Sequence, residues 1–354
     1  MMFSRSSNSR NAIKFVSLPL KRPFAQFPQA GVAGRQPLST VSYVSGTIDV
    51  DLFRRDAFES EKPLLLKSPG GAAAAVLPAL GKWFSTTSVN GHDETSITPY
   101  FEQYSATWLP YELMIESTPE APTASPLASF LTWLSSSRAR DQQALAALLL
   151  DQTENAPGSS TSQTRFLRFE APLGLLVAGL RFNLQSPPSH RLQQLYIAQA
   201  PLDSLPPQLQ QDVPTPRLVK EAGKGDVYNS SIWMGLEPTY TPWHRDPNPN
   251  LFCQLHSSKV VRLMPPRRGE QLFLQARSQL GRVRGSRIRG EEMMQGEERQ
   301  VLLDAVWGEK APDEMREVRL NQGDSLFIPK GWWHSLRSGG TNGGLNASVN
   351  WWFR

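Results

Sequence analysis

The second half of the chain is built from short strand-like runs, each closed by proline, glycine or another turn former, and this pattern restricts the fold more than any other feature. "RLQQLYIAQAPL", "DVYNSSIWMG", "NLFCQLHSSKVVRLMPP", "REVRLNQGDSLFIPKGWWHSLRS" and "LNASVNWWFR" are rich in β-branched and aromatic residues. Many short strands separated by turn chemistry predict a mainly β chain, an all-β barrel or jelly roll with helices packed outside. Upstream, "TIDVDLFRRDAFESEKPLLLKS" predicts a short strand, a helix from about Asp51 and a strand entered through Pro63. "ATWLPYELMIES" reads as a further strand. Ser125 is placed to cap a helix with Pro126 at its first position and Leu127, Phe130, Leu131 and Leu134 on one side. "TENAPGSSTSQT" (153–164) reads as a flexible insert rather than a domain boundary, and no internal repeat is visible.

At 354 residues, 39% of them hydrophobic, the chain is long enough for one large domain or two ordinary ones. Mean hydropathy is −0.38. The greasiest stretches, "ALAALLL" and "APLGLLVAGL", fall short of the roughly 18 apolar residues that a membrane span needs. Cys253 is the only cysteine, which rules out an internal disulfide and a thiolate zinc cluster and suits a reducing compartment.

The sequence pI of about 9.4 suggests nucleic acid, but the charge sits in the wrong place for it. No Asp or Glu precedes Asp49, whereas Arg5, Arg10, Lys14, Lys21, Arg22 and Arg35 all do. Without those six, the 37 basic side chains become 31 against 32 acidic ones, so residues 49–354 carry a net charge of −1. Nucleic acid is therefore not the expected partner. The acid-free, Arg- and Ser-rich start, with Phe3, Ile13, Phe15 and Val16 interspersed, has the composition of a mitochondrial transit peptide. A disordered basic tail on a cytoplasmic or nuclear protein is the other reading. Under either, residues 1–42 are expected to lie outside the fold and 43–354 to form the domain. Within that domain, a charged insertion over about 267–315 stands out. Arg267, Arg268, Arg277, Arg282, Arg284, Arg287, Arg289 and Arg299 alternate there with Glu270, Glu291, Glu292, Glu297 and Glu298, and no aromatics interleave between residues 277 and 299 as stacking platforms. A solvated, charge-balanced insertion is expected.

The chemistry begins at "TPWHRDPNPN". Residues two apart on a strand point to the same side, so His244 and Asp246 can face one metal. Ninety residues on, "GDSLFIPKGWWHSL" carries His334 just after two tryptophans, a dry setting in which an imidazole needs a partner. Two imidazoles and a carboxylate fill one face of an octahedron and leave three positions open, as in non-haem Fe(II) oxygenases; zinc accepts the same donors. Lys259 opens the strand "KVVRLMPP" and alternates with Val261 and Leu263, so it points inward, where an anion must meet it, or reaches back to water. Thr241 and Tyr196 can add hydroxyls to the same anion, and Asn250 and Asn350 are amides among apolar neighbours. Trp233 suits a pocket wall or a plain core position.

"TPWHRDPNPNLFCQLHSSKVVRLMPP", followed by "GDSLFIPKGWWHSL" and "SVNWWF", resembles the cupin-like JmjC hydroxylases, of the kind that includes the hypoxia-inducible-factor asparaginyl hydroxylase. The resemblance covers roughly residues 45–354 and is strongest from 190 onward. It implies a double-stranded β-helix, with His244, Asp246 and His334 binding Fe(II). It also implies that Lys259, fifteen positions after the first ligand, takes the distal carboxylate of the cosubstrate 2-oxoglutarate, assisted by Thr241 and Tyr196. Asn250 and Asn350 would flank the cosubstrate, and Trp233 would line the pocket. The implied reaction couples decarboxylation of 2-oxoglutarate to hydroxylation of a protein side chain or small molecule.

Two departures from the pattern matter. The sequence stops at Arg354, directly after the last strand, so the helical dimer of the asparaginyl hydroxylase is not expected; a monomer, or a dimer of another kind, is. The insertion has no counterpart and is expected to shape access to substrate. Two other readings stay open: an N-methyl-lysine demethylase, and a metal-binding cupin that uses no 2-oxoglutarate. The lack of zinc-binding cysteines and the near-neutral domain weigh against a histone substrate.

Overall fold

The computed structural model describes residues 38–46, 48–68, 76–89, 92–116, 125–154, 164–280, 294, 296–309 and 311–354. Pro37–Arg354 forms one compact unit. Most of the expected leader, residues 1–37, lies outside the described residues. Its last part does not stay out of the fold as expected. Ser39 bridges Arg316, and Val41 is buried at 1% exposure among inward-facing residues of the sheets, so the fold starts before residue 43.

The strands are β1 (Ser42–Ser45), β2 (Leu64–Lys67), β3 (Phe84–Val89), β4 (His92–Ile97), β5 (Trp108–Glu116), β6 (Thr164–Pro172), β7 (Leu195–Pro201) and β8 (Val227–Leu236). They continue with β9 (Tyr240–Arg245), β10 (Asn250–His256), β11 (Lys259–Met264), β12 (Arg316–Leu320), β13 (Ser325–Ile328), β14 (Trp333–Ser338) and β15 (Leu345–Phe353). A large sheet runs β1-β2-β13-β10-β15-β8-β7-β5-β6, a smaller one β12-β11-β14-β9, and β3-β4 forms a separate hairpin. From β8 onward the chain alternates between the two main sheets, apart from β11 and β12, which pair within the small one. All pairings in this part are antiparallel. That alternation is the winding of a jelly roll.

The three largest apolar clusters among the described residues hold the layers together. The largest lies on the outer face of the large sheet, where Leu251, Cys253, Leu255, Val349, Trp351 and Phe353 meet N-terminal elements through Phe53, Trp83, Phe101 and Phe130. A second, with Phe252, Val261, Leu263, Leu326, Ile328 and Leu336, joins strands of both sheets. Alternation along β10 separates the two: Leu251 and Leu255 go to one cluster, Phe252 to the other. The third covers the small sheet's other face, where Trp243, Met264 and Trp333 pack on Phe273, Leu302, Val306 and Trp307.

The chain is mixed α/β rather than mainly β. The cap at Ser125 forms as expected, its hydroxyl accepting from Ala128 N at 3.1 Å at the head of helix Pro126–Ser135. Helix Gly174–Gln185 is buried nearly all round, from Leu175 through Leu180 and at Phe182, so it shows no apolar stripe in the sequence. The short strand expected within "TIDVDLF" sits earlier, at Ser42–Ser45, and Asp49 instead caps helix Val50–Phe53. The insertion is not simply solvated. Its helices Pro266–Ser278 and Gly296–Trp307 bury Phe273, Leu302, Val306 and Trp307, with Arg277 and Glu298 paired at 3.3 Å in the interior. Arginines dilute the apolar positions of these helices, which hides the buried face in a linear reading; 281–293 lie outside the described residues.

Candidate metal centre

His244 is the next-to-last residue of β9 and His334 the second of β14, and the two are paired directly across the small sheet with ring centroids 4.2 Å apart. Asp246 follows the end of β9. Its carbonyl accepts a hydrogen bond from Gly331 N at 3.0 Å, which ties the two motif loops together. Gly331 has φ 74°, a left-handed conformation that glycine adopts without strain and that lets Pro329–Lys330–Gly331 turn into β14. The three side chains are buried, and one ligand atom from each lies within 4.8 Å of the others.

The tautomers follow from the partners. Nδ1 of His244 lies 2.8 Å from the Pro242 carbonyl, and Nδ1 of His334 lies 3.0 Å from that of Trp332. A carbonyl oxygen only accepts, so each Nδ1 carries the proton and each Nε2 presents its lone pair. Both Nε2 atoms lie 3.6 Å from Asp246, one from Oδ1 and the other from Oδ2. Burial alone would raise the Asp246 pKa. The two histidines and hydrogen bonds from Trp352 and Asn250 outweigh it and hold the carboxyl below its ordinary value. Two imidazole nitrogens and one carboxylate oxygen, dry and preset, fit a divalent ion that takes nitrogen and oxygen donors on one face. The residues present fit Fe(II).

Lys259 points inward and is 2% exposed. Its ammonium donates to the Tyr196 hydroxyl at 3.0 Å and to the Ser348 hydroxyl at 3.2 Å. Burial pushes its pKa down to about 7, with Glu237 partly opposing. Thr241 is buried on β9 opposite Leu336, and its hydroxyl makes no hydrogen bond to Lys259. Gly235 lies beneath Tyr196, where an added Cβ would come 2.4 Å from its ring, so only glycine lets Tyr196 sit there. The hydroxyl of Ser231, paired across from Asn350, is buried without a hydrogen-bond partner among the described residues, a polar interior group that suits a polar guest.

The structure brings Asn250, Asn350 and Trp233 together with Asp246. Asn250 Nδ2 donates to Asp246 Oδ2 at 3.0 Å, Asn350 Nδ2 to Asn250 Oδ1 at 3.0 Å, and Trp233 Nε1 to Asn350 Oδ1 at 2.8 Å. Trp233 also packs on Tyr196, with centroids 6.2 Å apart. Sequence reasoning missed Trp352, whose Nε1 donates to Asp246 Oδ2 at 2.8 Å, and Ser348. Both stand two residues from Asn350, on the face of β15 that Asn350 had already marked, so strand alternation was the available signal.

Two facing, largely antiparallel sheets with a His-Asp-His set across one edge of the small sheet define a jelly-roll cupin carrying a site for a divalent metal. The model of the cupin-like domain matches residues 126–354, and the chain belongs to that family; several of its relatives are named as JmjC domain proteins. It is 29% identical over 163 residues to "Lysine-specific demethylase JMJ30" of Arabidopsis thaliana, a match covering 45% of this chain and 33% of that protein. It is 30% identical over 146 residues to "Jumonji C domain-containing protein 5" of Drosophila melanogaster, covering 40% and 33%. It is 28% identical over 164 residues to "Lysine-specific demethylase 8" of Danio rerio, covering 45% and 36%. The chain spans about a third of the length of these curated relatives. Two of the three names refer to demethylation, so these similarities support the family and not specifically the asparaginyl hydroxylase.

Proposed function

We propose that the protein is an Fe(II)- and 2-oxoglutarate-dependent dioxygenase that hydroxylates a C–H bond of a protein side chain or small molecule. One observation carries this reading: the metal-capable triad and an inward-facing, buried lysine line the same barrel. A structural zinc site would account for the triad but gives Lys259 no anion. Bound together, Fe(II) and 2-oxoglutarate would activate dioxygen, one atom of which would end in succinate as carbon dioxide leaves and the other in the hydroxyl formed from a substrate C–H bond. His244, Asp246 and His334 hold the metal on one face. Lys259, with the hydroxyls of Tyr196 and Ser348, holds the distal carboxylate; Thr241 and the indole of Trp233 line the space around it. Phe252 and Leu336 keep that space dry, which strengthens each of these polar contacts.

The test is anaerobic titration of the protein with Fe(II), then with 2-oxoglutarate, followed by succinate measurement in air. Wild type should bind both and form succinate without added substrate. His244→Ala, Asp246→Ala and His334→Ala should each abolish turnover and remain folded. Iron binding without 2-oxoglutarate binding would leave a metal-binding cupin instead. The names of the relatives favour a second reading, removal of an N-methyl group from lysine through hydroxylation of the methyl carbon. Formaldehyde release from methylated peptides would establish it.

A further inference from the structure

We infer that a chain of donor groups starting at Trp233 fixes Asp246 as a one-oxygen ligand, which makes Trp233, Asn350, Asn250 and Trp352 positioning residues for the metal. The inference rests on the metal reading of the triad. Its starting point is an asymmetry in the carboxylate. Oδ2 of Asp246 accepts from Asn250 Nδ2 at 3.0 Å and from Trp352 Nε1 at 2.8 Å, whereas Oδ1 accepts no side-chain hydrogen bond among the described residues. Two donors occupy the lone pairs of one oxygen and leave the other for an ion. The carboxylate is thereby kept from chelating with both oxygens, which would use an extra coordination position.

The polarity of the chain is set far from the ion. An indole N–H can only donate, so Trp233 requires Asn350 to present its oxygen. Asn350 must then offer its NH2 to Asn250, whose oxygen accepts it at 3.0 Å. Asn250 is left to present its own NH2 to Asp246. Turning over either amide would set oxygen against oxygen and one N–H donor against another. Trp233 therefore dictates the orientation of a group that it does not touch. The chain links three elements: Trp233 stands on β8, Asn350 and Trp352 on β15, and Asn250 on β10. All four residues are buried or half-buried, where an unmatched polar group is costly.

The experiment is titration of the metal-free full chain with Co(II) alone, followed by calorimetry and by the visible absorption of the bound ion, without cosubstrate or turnover. Trp352→Phe and Asn250→Ala should each weaken Co(II) about ten- to a hundred-fold, the usual cost of losing a partner of a metal ligand. Both should alter the absorption band as the carboxylate changes its mode. Trp233→Phe should weaken Co(II) as well, and its effect should not add to that of Asn250→Ala, because the two act along one chain. Thermal unfolding of each variant reports the folded fraction. Folded variants that bind Co(II) with wild-type affinity and an unchanged band would overturn the inference while leaving the metal reading intact. If wild type itself bound no Co(II), and matched His244→Ala, the metal reading would fall and the inference with it.

Discussion

Lys259 shows how much one side chain can be made to depend on a guest. Held at about 7 by burial, its ammonium is only partly populated at neutral pH in the empty protein. A carboxylate bound beside it favours the charged form and raises that pKa, so binding takes up a proton. Affinity for 2-oxoglutarate should therefore be nearly fully present at pH 6 and decline as pH rises through 7, as the competent fraction falls. About a tenfold loss is expected between pH 6 and pH 8. Isothermal titration in buffers of different ionisation enthalpy should show the proton uptake directly. Lys259→Ala should weaken 2-oxoglutarate binding by about 2–5 kcal/mol, roughly thirty-fold to several thousand-fold, with Fe(II) binding kept. A flat pH profile together with wild-type affinity in Lys259→Ala would remove the lysine from the pocket. The residue types in the sequence were enough to mark Lys259 and the triad, because alternation along a strand reports facing. Their hydrogen-bond partners were less legible. Asn250 and Asn350 stood out as buried amides, but nothing local says that each is bonded to the other rather than to a ligand.

At the scale of elements, the histidines depend on what lies behind them. Trp333 precedes His334, faces outward and packs on Trp243 and Phe273, with centroids 6.0 and 4.9 Å away. Helix Pro266–Ser278 approaches so closely that a Cβ on Gly269 would lie 2.3–2.5 Å from Trp333 atoms. The clash is with the root of the indole, not with a flexible tip, so β14 or the helix would have to move. Gly269→Ala should cost about 1–3 kcal/mol of stability. It should also weaken the metal site through the displaced Trp333–His334 segment. Denaturant unfolding and Co(II) titration of the same preparation measure the two effects, and a variant as stable as wild type would show that the helix yields freely. This helix was hidden in the sequence among arginines, since Trp333 and Gly269 are distant along the chain and meet only once both sheets exist.

For the whole molecule, the metal is expected to add to a fold that stands without it. The apolar clusters involve nearly every strand of both sheets, while the triad joins only β9 and β14. An ion at a hundredfold excess over its Kd stabilises by about 2.7 kcal/mol. Addition of Mn(II) or Co(II) should therefore raise the melting temperature by a few degrees, and a chelator should reverse the rise without unfolding the protein at 25 °C. Loss of the cooperative transition on chelation would make the site structural. Among the described residues, no helix is long and apolar enough to cross a membrane. We propose a mitochondrial address for residues 1–37, to be tested by fusing them to a reporter; a cytoplasmic signal would reject it.

Residue types and their spacing determined the strands from Leu195 onward, the inward faces of β9 and β11, and the set of donors able to hold a metal. Each of those conclusions needs only local geometry: a period of two along a strand, turn residues between strands, and the cost of burying an unpaired charge. Tertiary structure decided the rest. It placed His244 opposite His334, put Trp352 and Asn250 on the same carboxylate oxygen, seated Ser348 at Lys259, and wrapped the insertion helices over the small sheet. These are contacts between segments far apart in sequence. The register of β9 with β14 sets the two histidines opposite each other, and that of β10 with β15 sets Asn250 opposite Trp352.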